Sequence, residues 1–294
     1  MRLLVAGWFS FEGMGATAGD LLVRDIVTGW LSDAAVPHDI AVALPFRGGV
    51  DWRHVDPASY THVMFVCGPF GDGWPFTEFL PRFAGSRLVG LDLSMLQPLQ
   101  EWNPFDLLLE RDSTRCSRPD LALLSERPLV PVVGLVRAHR QSEYGERSAH
   151  AAADALLDAL LASRELAVVP VDTRLDENAT GLRTASEVES VIARMDVVVT
   201  TRLHGLVLSL KNGVPAVAVD PIRGGAKLRR QAEVLAWPHI FDVETELDVL
   251  RAALSECLRP ETRAAARVSA ELARRSLIAS RNTLLAELRG PGMR

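Results

Sequence analysis

The densest group of chemically capable residues lies in the segment 196–205, Asp-Val-Val-Val-Thr-Thr-Arg-Leu-His-Gly. An apolar run leads through two threonines to Arg202 and His204, and Gly205 then opens a helical pattern. The guanidinium of arginine donates two parallel hydrogen bonds to a carboxylate or phosphate, and the imidazole of histidine exchanges a proton near neutral pH. Gly205 would let the backbone approach a ligand closely. The segment predicts a site that binds a small anion and moves a proton; alternatively, Arg202 pairs with an acid and His204 is a satisfied core histidine.

Three further basic residues are candidates for binding the same kind of ligand. Arg223 and Lys227 belong to a glycine-containing loop after a second apolar run, and either would neutralise an anion. The alternative for this loop is a solvated turn with surface charges. Arg137 directly follows the first apolar run of the second half of the chain and is predicted to face the same cleft. His139 and Arg140, just beyond it, are interpreted as solvated side chains.

The first half of the chain offers a glycine-rich turn, residues 13–20, after its first apolar run. Gly19 and Asp20 would shape a pocket for a second substrate, or Asp20 would cap the helix that follows. The turn lacks the spaced glycine fingerprint of dinucleotide-binding proteins, and neither a phosphate-binding loop nor a zinc-protease motif occurs. A nucleophile elbow is also missing. The three cysteines are also far apart, with no pair at a metal-binding spacing. Together with the missing motifs, this means that the sequence implies neither a cofactor nor a metal.

The residues that carry this chemistry are placed by short, continuous apolar runs that alternate with amphipathic segments. This is the pattern of buried parallel strands joined by helices. The sequence predicts an α/β fold with two Rossmann-like domains, whose parallel sheets face a cleft. In such folds ligands bind at the carboxyl ends of the strands, where Arg202 and His204 stand. The predicted strands are residues 3–6, 40–43, 62–67, 88–91 and 105–109 in the first half, and 132–136, 166–171, 197–200 and 216–219 in the second.

The two series of strands meet at a polar, proline-containing segment, residues 125–128. We therefore predict a first domain over residues 1–126 and a second over residues 127–294. The spacing of Ser186 and Glu189 predicts that a helix begins there with a capping box. The second domain is predicted to finish with two helices, and the glycine-proline segment 290–292 to end the ordered chain.

The charge balance argues against two classes of partner. The 294 residues carry 37 acidic and 32 basic side chains, a formal net charge of −5. Such a chain has no bulk attraction for nucleic acid or for an anionic membrane. The apolar runs are too short for a signal peptide or a membrane span, and the scattered cysteines fit a reducing compartment. We therefore expect a cytoplasmic protein; nothing in the sequence specifies its oligomeric state.

These segments together resemble the polysaccharide pyruvyl transferase family over roughly residues 1–240. The most specific element is the Arg-Leu-His-Gly run of residues 202–205 with its Gly-Val-Pro follower at residues 213–215. Weaker matching segments are Gly19-Asp20, Arg111-Asp112-Ser113, residues 119–123, Asp220-Pro221 and Lys227. The resemblance implies a twin-Rossmann fold like that of the glycosyltransferase-B enzymes. It also implies transfer of a pyruvyl group from phosphoenolpyruvate to a sugar, forming a ketal.

The same resemblance implies roles for the site residues. Arg202 and His204 would contact phosphoenolpyruvate, and Arg137 is the candidate for a further donor-binding arginine. From the chemistry of such a transfer, the arginines would orient the donor, Lys227 would help the phosphate depart, and His204 would act as acid or base. The first domain would then be the acceptor side and the second the donor side. A polysaccharide, a lipid-linked sugar or a natural-product intermediate would serve as acceptor.

Two other functions fit the same residues. A glycosyltransferase with a nucleotide-sugar donor would use the basic side chains to hold the diphosphate. A non-catalytic sugar-phosphate binding protein would hold its ligand without turnover. The choice of donor and the presence of turnover distinguish the three.

Overall fold

The computed structural model describes residues 1–140 and 142–289 of the chain. The chain forms two compact units that divide between Pro128 and Leu129. Each unit contains a five-stranded, all-parallel sheet with helices between its strands. The predicted α/β class with two parallel sheets is therefore confirmed. The segment 290–292, predicted to end the ordered chain, lies outside the described residues.

The sheet of the first unit has the strand order β2-β1-β3-β5-β7. A separate pair, β4 and β6, is also parallel. The strand predicted at residues 40–43 instead ends at Ile40, because the chain beyond it turns to pair with Val50. The strands are β1 (Leu3–Ala6), β2 (His38–Ile40), β3 (His62–Val66), β4 (Pro69–Phe70), β5 (Arg87–Leu91), β6 (Ser94–Met95) and β7 (Leu107–Leu109).

Two helices and an aromatic core complete the first unit. Helix α1 (Ala18–Asp33) follows β1, and α2 (Phe76–Arg82) precedes β5. Burial of large aromatic side chains removes much apolar area from water, which is the main favourable contribution to folding. Phe65 lies at the centre of this core, with Phe70 and Phe76 about 5 Å away between ring centroids. The fully buried aromatic residues of the unit are Phe9, Trp52, Phe65, Phe70, Phe79 and Phe83.

The sheet of the second unit has the strand order β12-β11-β10-β8-β9. Its central strands consist almost entirely of buried valine and alanine, as expected for strands covered on both faces. The last strand has only two residues, too few for a pattern in the sequence to reveal it. The strands are β8 (Val132–Val136), β9 (Ala167–Pro170), β10 (Val197–Thr200), β11 (Ala216–Val219) and β12 (Ile240–Phe241).

Six helices surround this second sheet in the described residues. The helix predicted to begin at Ser186 is capped by Thr184 instead, whose Oγ1 accepts a hydrogen bond from the Glu187 amide at 3.1 Å. The N-cap therefore lies two residues before the predicted one, and it consists of the Thr184 side chain. Of the helices in the described parts of the chain, none is both long and apolar enough to cross a membrane. The helices are α3 (His150–Ala162), α4 (Ala185–Ile192), α5 (Leu203–Lys211), α6 (Lys227–Val234), α7 (Leu247–Cys257) and α8 (Pro260–Leu288).

Both sheets share one topology. If the strands of each sheet are counted along the chain, both have the order 2-1-3-4-5. The connections reverse direction between the first and third strands, and the crevice outside the carboxyl ends of those two strands is where ligands bind in such sheets. The topology therefore predicts ligand sites at the carboxyl ends of β1 and β3 in the first unit and of β8 and β10 in the second.

Candidate active site

A cavity of about 320 Å³ lies at the carboxyl ends of β8 and β10 in the second sheet, where the topology predicts a ligand site. We call it the β8–β10 cavity. It is formed by the loops that follow β8, β10 and β11, together with Arg174 from the loop after β9. Its volume is at the small end of the range for ligand sites. The charged and titratable residues of its lining are His139, Arg140, Arg174, Arg202, His204, Asp220 and Lys227.

Two threonines at the end of β10 lock the neighbouring loops together. Thr200 Oγ1 donates a hydrogen bond to the Val136 carbonyl at 2.9 Å and accepts one from the Arg202 amide at 2.9 Å. Thr201 Oγ1 accepts a hydrogen bond from the Ala138 amide at 2.8 Å. Both threonines are buried. The loops after β8 and β10 are thus held at a fixed spacing, which fixes the backbone that carries Arg202 and His139.

Arg202 is the N-cap residue of α5, and its side chain is 23 % exposed. Its Nη1 lies 3.5 Å from Asp172 Oδ1. Nη1 is nevertheless a buried donor without a hydrogen-bond partner within the described residues. A buried donor without a partner is costly, so this atom is suited to an acceptor supplied by a ligand. The amino end of α5, where unpaired backbone amides favour negative charge, adds to the attraction for an anion.

His204 lies in the first turn of α5, is exposed and lines the same cavity. Within residues 1–140 and 142–289 its ring makes no hydrogen bond or ion pair. The imidazole is therefore not a satisfied core histidine. It is free to give a proton to a bound ligand or to take one from it.

Lys227 begins α6 after a loop that is organised by Asp220. This buried carboxylate accepts hydrogen bonds from the amides of Ile222 at 3.0 Å, Ala226 at 2.9 Å and Arg229 at 3.0 Å. The loop is thereby folded so that Lys227 reaches the cavity lining. Three of the predicted site residues, Arg202, His204 and Lys227, line this one cavity.

Arg137 does not line the β8–β10 cavity. Its guanidinium pairs with Asp158 and lies 3.9 Å from Asp154, two acids one turn apart on α3. The side chain borders a separate, mostly apolar hollow beside β9. The prediction that Arg137 faces the same site as Arg202 is not supported by this geometry, because α3 supplies carboxylates that hold it elsewhere.

Gly205 and Arg223 also have other surroundings than predicted. Gly205 is buried, and a Cβ there would lie 2.2 Å from Thr200 Oγ1 and 3.0 Å from Val136 Cβ. The glycine therefore allows α5 to pack against the sheet, and it does not line the cavity. Arg223 is exposed, with its Nε 3.5 Å from Glu244 Oε1, and it also lies outside the lining.

The first unit has a cavity of about 360 Å³ at the equivalent point of its own sheet. We call it the β1–β3 cavity. Gly68 has a φ of +78°, and a Cβ there would lie 2.1 Å from the ring of Trp8, so only glycine fits beside this indole. Trp8, Gly19, Asp20, Arg111 and Asp120 are among the lining residues.

Asp20 combines a place in this lining with a structural role. Its Oδ2 accepts hydrogen bonds from the amide and the hydroxyl of Thr17, both at 2.7 Å, as the acidic partner in the capping box of α1. Its Oδ1 accepts from the Cys67 thiol at 3.0 Å. Burial, followed by the Asp20 contact, raises the pKa of the Cys67 thiol far above its ordinary value. Cys67 therefore remains a thiol that positions Asp20.

The lining residue Asp120 influences a second, buried carboxyl group, that of Asp92. Asp92 follows β5 and is buried, and both its carboxylate oxygens lie 3.3 Å from the Leu121 amide. Burial, reinforced by the negative charge of Asp120, raises the pKa of Asp92 to about 6. Asp120 in turn is bridged to Arg111 at 2.6 Å.

Sequence reasoning underrated His139 and overlooked Asp172. The His139 Nε2 lies 3.2 Å from the Asp172 Oδ2, so this histidine is not simply a solvated side chain. Asp172 is buried two residues after the end of β9. The rule that ligands collect at the carboxyl ends of strands would have singled it out. Its partners depend on β9 lying next to β8, which the sequence does not reveal.

One family model matches the part of the chain that contains this site. Residues 119–221 match the family model described as polysaccharide pyruvyl transferase. The predicted resemblance is confirmed for this segment, which contains β8 to β11 with Arg202 and His204. A search of curated proteins gives no match.

Three solved structures align with nearly the whole chain at low identity. The spinosyn forosaminyltransferase SpnP is 14 % identical, with 97 % of this chain and 99 % of that chain covered and a TM-score of 0.34. A glycotransferase of kitacinnamycin is 13 % identical, with 92 % and 94 % covered and a TM-score of 0.32. A putative UDP-N-acetylglucosamine 2-epimerase from Listeria monocytogenes is 12 % identical, with 96 % of each chain covered and a TM-score of 0.32.

Proposed function

We propose that the protein transfers a pyruvyl group from phosphoenolpyruvate to two hydroxyls of a sugar or sugar-like acceptor, forming a ketal. The observation that carries this proposal is that Arg202, His204 and Lys227 line one small cavity in the second unit. The resemblance to pyruvyl transferases identifies Arg202 and His204 as donor-site residues, and the chemistry of the loop after β11 adds Lys227. The family match over residues 119–221 supports a transferase of this kind.

The charges of the cavity suit this donor. Phosphoenolpyruvate carries a carboxylate and a phosphate on a three-carbon unit. Arg202 offers a donor that lacks a hydrogen-bond partner within the described residues, and Lys227 and Arg140 add positive charge to the lining. Arginine binds a planar carboxylate with its fork, whereas lysine is a compact charge suited to a phosphate that departs. The donor would thus be held at both ends.

His204 is the proposed proton-transfer group. Addition of a hydroxyl to C2 of the donor requires a proton at its C3 methylene. The ring of His204 lines the cavity and makes no hydrogen bond within the described residues, so it is available for this role. We expect His204→Asn to reduce turnover far more than donor binding.

The first unit is proposed to receive the acceptor. The β1–β3 cavity combines the indole of Trp8 with the carboxylates of Asp20 and Asp120 and the guanidinium of Arg111. An aromatic face and paired hydrogen-bonding groups suit a neutral, polyhydroxylated molecule. The acceptor class in this proposal is a sugar, a lipid-linked sugar or a natural-product intermediate.

A nucleotide-sugar donor is the rival proposal. The same cations would then hold a diphosphate, but a nucleotide and a sugar are much larger than a cavity of about 320 Å³ at the small end of ligand sites. The volume therefore favours the compact donor.

The test is a thermal-shift comparison of phosphoenolpyruvate with nucleotide diphosphate sugars. A ligand at a hundred times its Kd stabilises the native state by about 2.7 kcal/mol, which corresponds to several degrees in melting temperature. We expect a shift with phosphoenolpyruvate that is absent in Arg202→Ala. Phosphate release with an acceptor would then establish turnover. A shift with a nucleotide sugar and none with phosphoenolpyruvate would favour the glycosyltransferase, and binding without phosphate release would favour the binding protein.

A further inference from the structure

His139 and Asp172 form a dyad at the wall of the β8–β10 cavity. His139 lines the cavity, and its Nε2 lies 3.2 Å from Asp172 Oδ2. Asp172 itself borders the hollow beside β9, as His139 also does. The Asp172 side chain is only 7 % exposed, whereas that of His139 is 45 % exposed. A buried carboxylate thus holds a histidine whose ring is still accessible to a ligand.

The surroundings of Asp172 keep it charged. Burial on its own would raise the pKa of Asp172, but hydrogen bonds from the amides of Arg174 and Ala179 and from the His139 ring hold that pKa below its ordinary value. The Arg174 amide donates to Oδ1 at 2.9 Å, and the Ala179 amide to Oδ2 at 3.3 Å. Arg202 Nη1 lies 3.5 Å from Oδ1. The ionised Asp172 carboxylate therefore accepts hydrogen bonds and donates none.

An ionised Asp172 determines the tautomer of His139. Because the carboxylate only accepts, the Nε2 of His139 must carry the proton. In the neutral ring, Nδ1 is then the nitrogen with the free lone pair. An aspartate that fixes the tautomer of a histidine and stabilises its protonated form is the arrangement that makes a histidine an effective base in hydrolytic triads.

The proposed reaction needs two proton transfers at different atoms. Two C–O bonds form at C2 of phosphoenolpyruvate, one C–H bond forms at C3, and the C2–O bond to phosphate breaks. Of the two hydroxyl protons lost by the acceptor, one is balanced by the proton at C3, and the other leaves with inorganic phosphate. One group must deliver the proton to C3 and another must remove a proton from a hydroxyl. Two histidines, His139 and His204, line the cavity.

We propose that His139 is a second proton-transfer residue of this cavity, complementary to His204, and that Asp172 is the positioning residue that orients it. This inference rests on the proposed pyruvyl transfer. His139 serves as the base for an acceptor hydroxyl, and His204 as the acid for C3. Asp172 also contacts Arg202, so one buried carboxylate positions both a proton-transfer group and a donor-binding group.

Other charges around His139 come from every loop that lines the cavity. They are Arg140 next to it, Arg174 after β9, Arg202 and His204 after β10, and Asp220 and Lys227 after β11. Arg137, two residues earlier, is occupied by the acids of α3. Most of these groups are cationic, and binding of an anionic donor offsets their charge. The pH dependence is therefore measured with the donor saturating.

His139→Gln is the decisive variant. Glutamine keeps a donor for Asp172 but cannot exchange a proton, and because the side chain is 45 % exposed we expect the variant to fold. We expect kcat for phosphate release to fall by about a hundredfold or more, the Kd of phosphoenolpyruvate to change by less than about threefold, and the limb of the pH–rate profile for the base to disappear. His54→Gln, an 83 % exposed histidine in the first unit, is the matched control.

Asp172→Asn tests the positioning role. We expect a lower kcat, a shifted pH–rate profile and weaker donor binding through Arg202, with partial rescue of kcat by Asp172→Glu. Nitrogen-15 NMR of the histidine side chains gives a readout independent of turnover: neutral His139 should carry its proton on Nε2 in the wild type, with this preference lost in Asp172→Asn. If Asp172→Asn does not fold, the kinetics of His139→Gln still test the role of His139, and the tautomer of His139 in the wild type still tests the role of Asp172.

The outcomes separate this inference from the function on which it rests. An active wild type with normal turnover in His139→Gln overturns the role of His139 and leaves pyruvyl transfer standing. Equal losses of binding and turnover make His139 only a ligand contact and also overturn it. A wild type that neither binds nor consumes phosphoenolpyruvate overturns both. A proton on Nδ1 of His139 overturns the positioning role of Asp172.

Discussion

Replacement of Arg202 by lysine tests the proposed donor site most directly, because the positive charge is kept and only the planar fork is lost. Nη1 of Arg202 is a buried donor without a hydrogen-bond partner in the described residues, 3.5 Å from Asp172. A bound carboxylate would accept from Nη1 and from a second guanidinium nitrogen. Lysine offers a single ammonium group, so at least one charge-assisted hydrogen bond is lost. Such a bond contributes about 1.5–3 kcal/mol.

This loss corresponds to an increase in the Kd of phosphoenolpyruvate of about tenfold to a hundredfold. Isothermal titration calorimetry of wild type and Arg202→Lys measures it directly, with circular dichroism to establish that both are folded. Arg251→Lys is the matched control, since Arg251 is exposed on α7 and pairs only with Asp248 within the described residues. A Kd within twofold of the wild-type value in Arg202→Lys would mean that the fork does not bind the donor.

Two further predictions concern stability. Gly205→Ala would bring a Cβ within 2.2 Å of Thr200 Oγ1 and 3.0 Å of Val136 Cβ. This overpacking should lower the free energy of unfolding, measured in urea titrations, by about 1–3 kcal/mol. Unchanged stability would mean that Gly205 is not required for packing and would make it a possible ligand contact again. The pKa of Asp92 is raised to about 6 by burial and then by Asp120, so the folded protein holds a proton that the unfolded chain has lost between about pH 4 and 6. The contribution of Asp92 to stability is therefore lost as the pH rises through 6. Asp92→Asn, which keeps an acceptor for the Leu121 amide, should stabilise the protein relative to wild type in urea titrations at pH 8 and not at pH 4, and an equal effect at both pH values would exclude this ionisation as the cause.

Most strands, and the residues Arg202, His204 and Lys227 of the candidate site, were predictable because they depend on local sequence. A continuous valine run such as residues 197–200 marks a buried strand, and the residues just beyond it must lie at the carboxyl edge of a parallel sheet. That single rule brings Arg202, His204 and Lys227 to one edge of the sheet. The α/β class follows from the same alternation of apolar runs and helices.

The wrong predictions concern side chains whose position is determined by residues distant in the sequence. Arg137 also follows a strand, but Asp154 and Asp158 on α3 hold its guanidinium away from the cavity. Two acids spaced four residues apart share a face of a helix, yet the sequence does not say which strand that face meets. The position of His139 against Asp172 likewise depends on β9 pairing with β8. Strand order is a property of the whole sheet, and no local pattern contains it.

The two cavities occupy equivalent points of two sheets with the same topology, but their charges differ. The β8–β10 cavity gathers three arginines and a lysine around few carboxylates. In the β1–β3 cavity, the one arginine of the lining, Arg111, is already paired with Asp120, and Asp20 adds a second carboxylate. An anion is therefore favoured in the β8–β10 cavity and disfavoured in the β1–β3 cavity, where Trp8 offers an apolar face instead. Since a pyruvyl transfer joins an anionic donor to a polyhydroxylated acceptor, this difference in charge supports the proposed assignment of the donor to the second unit and of the acceptor to the first.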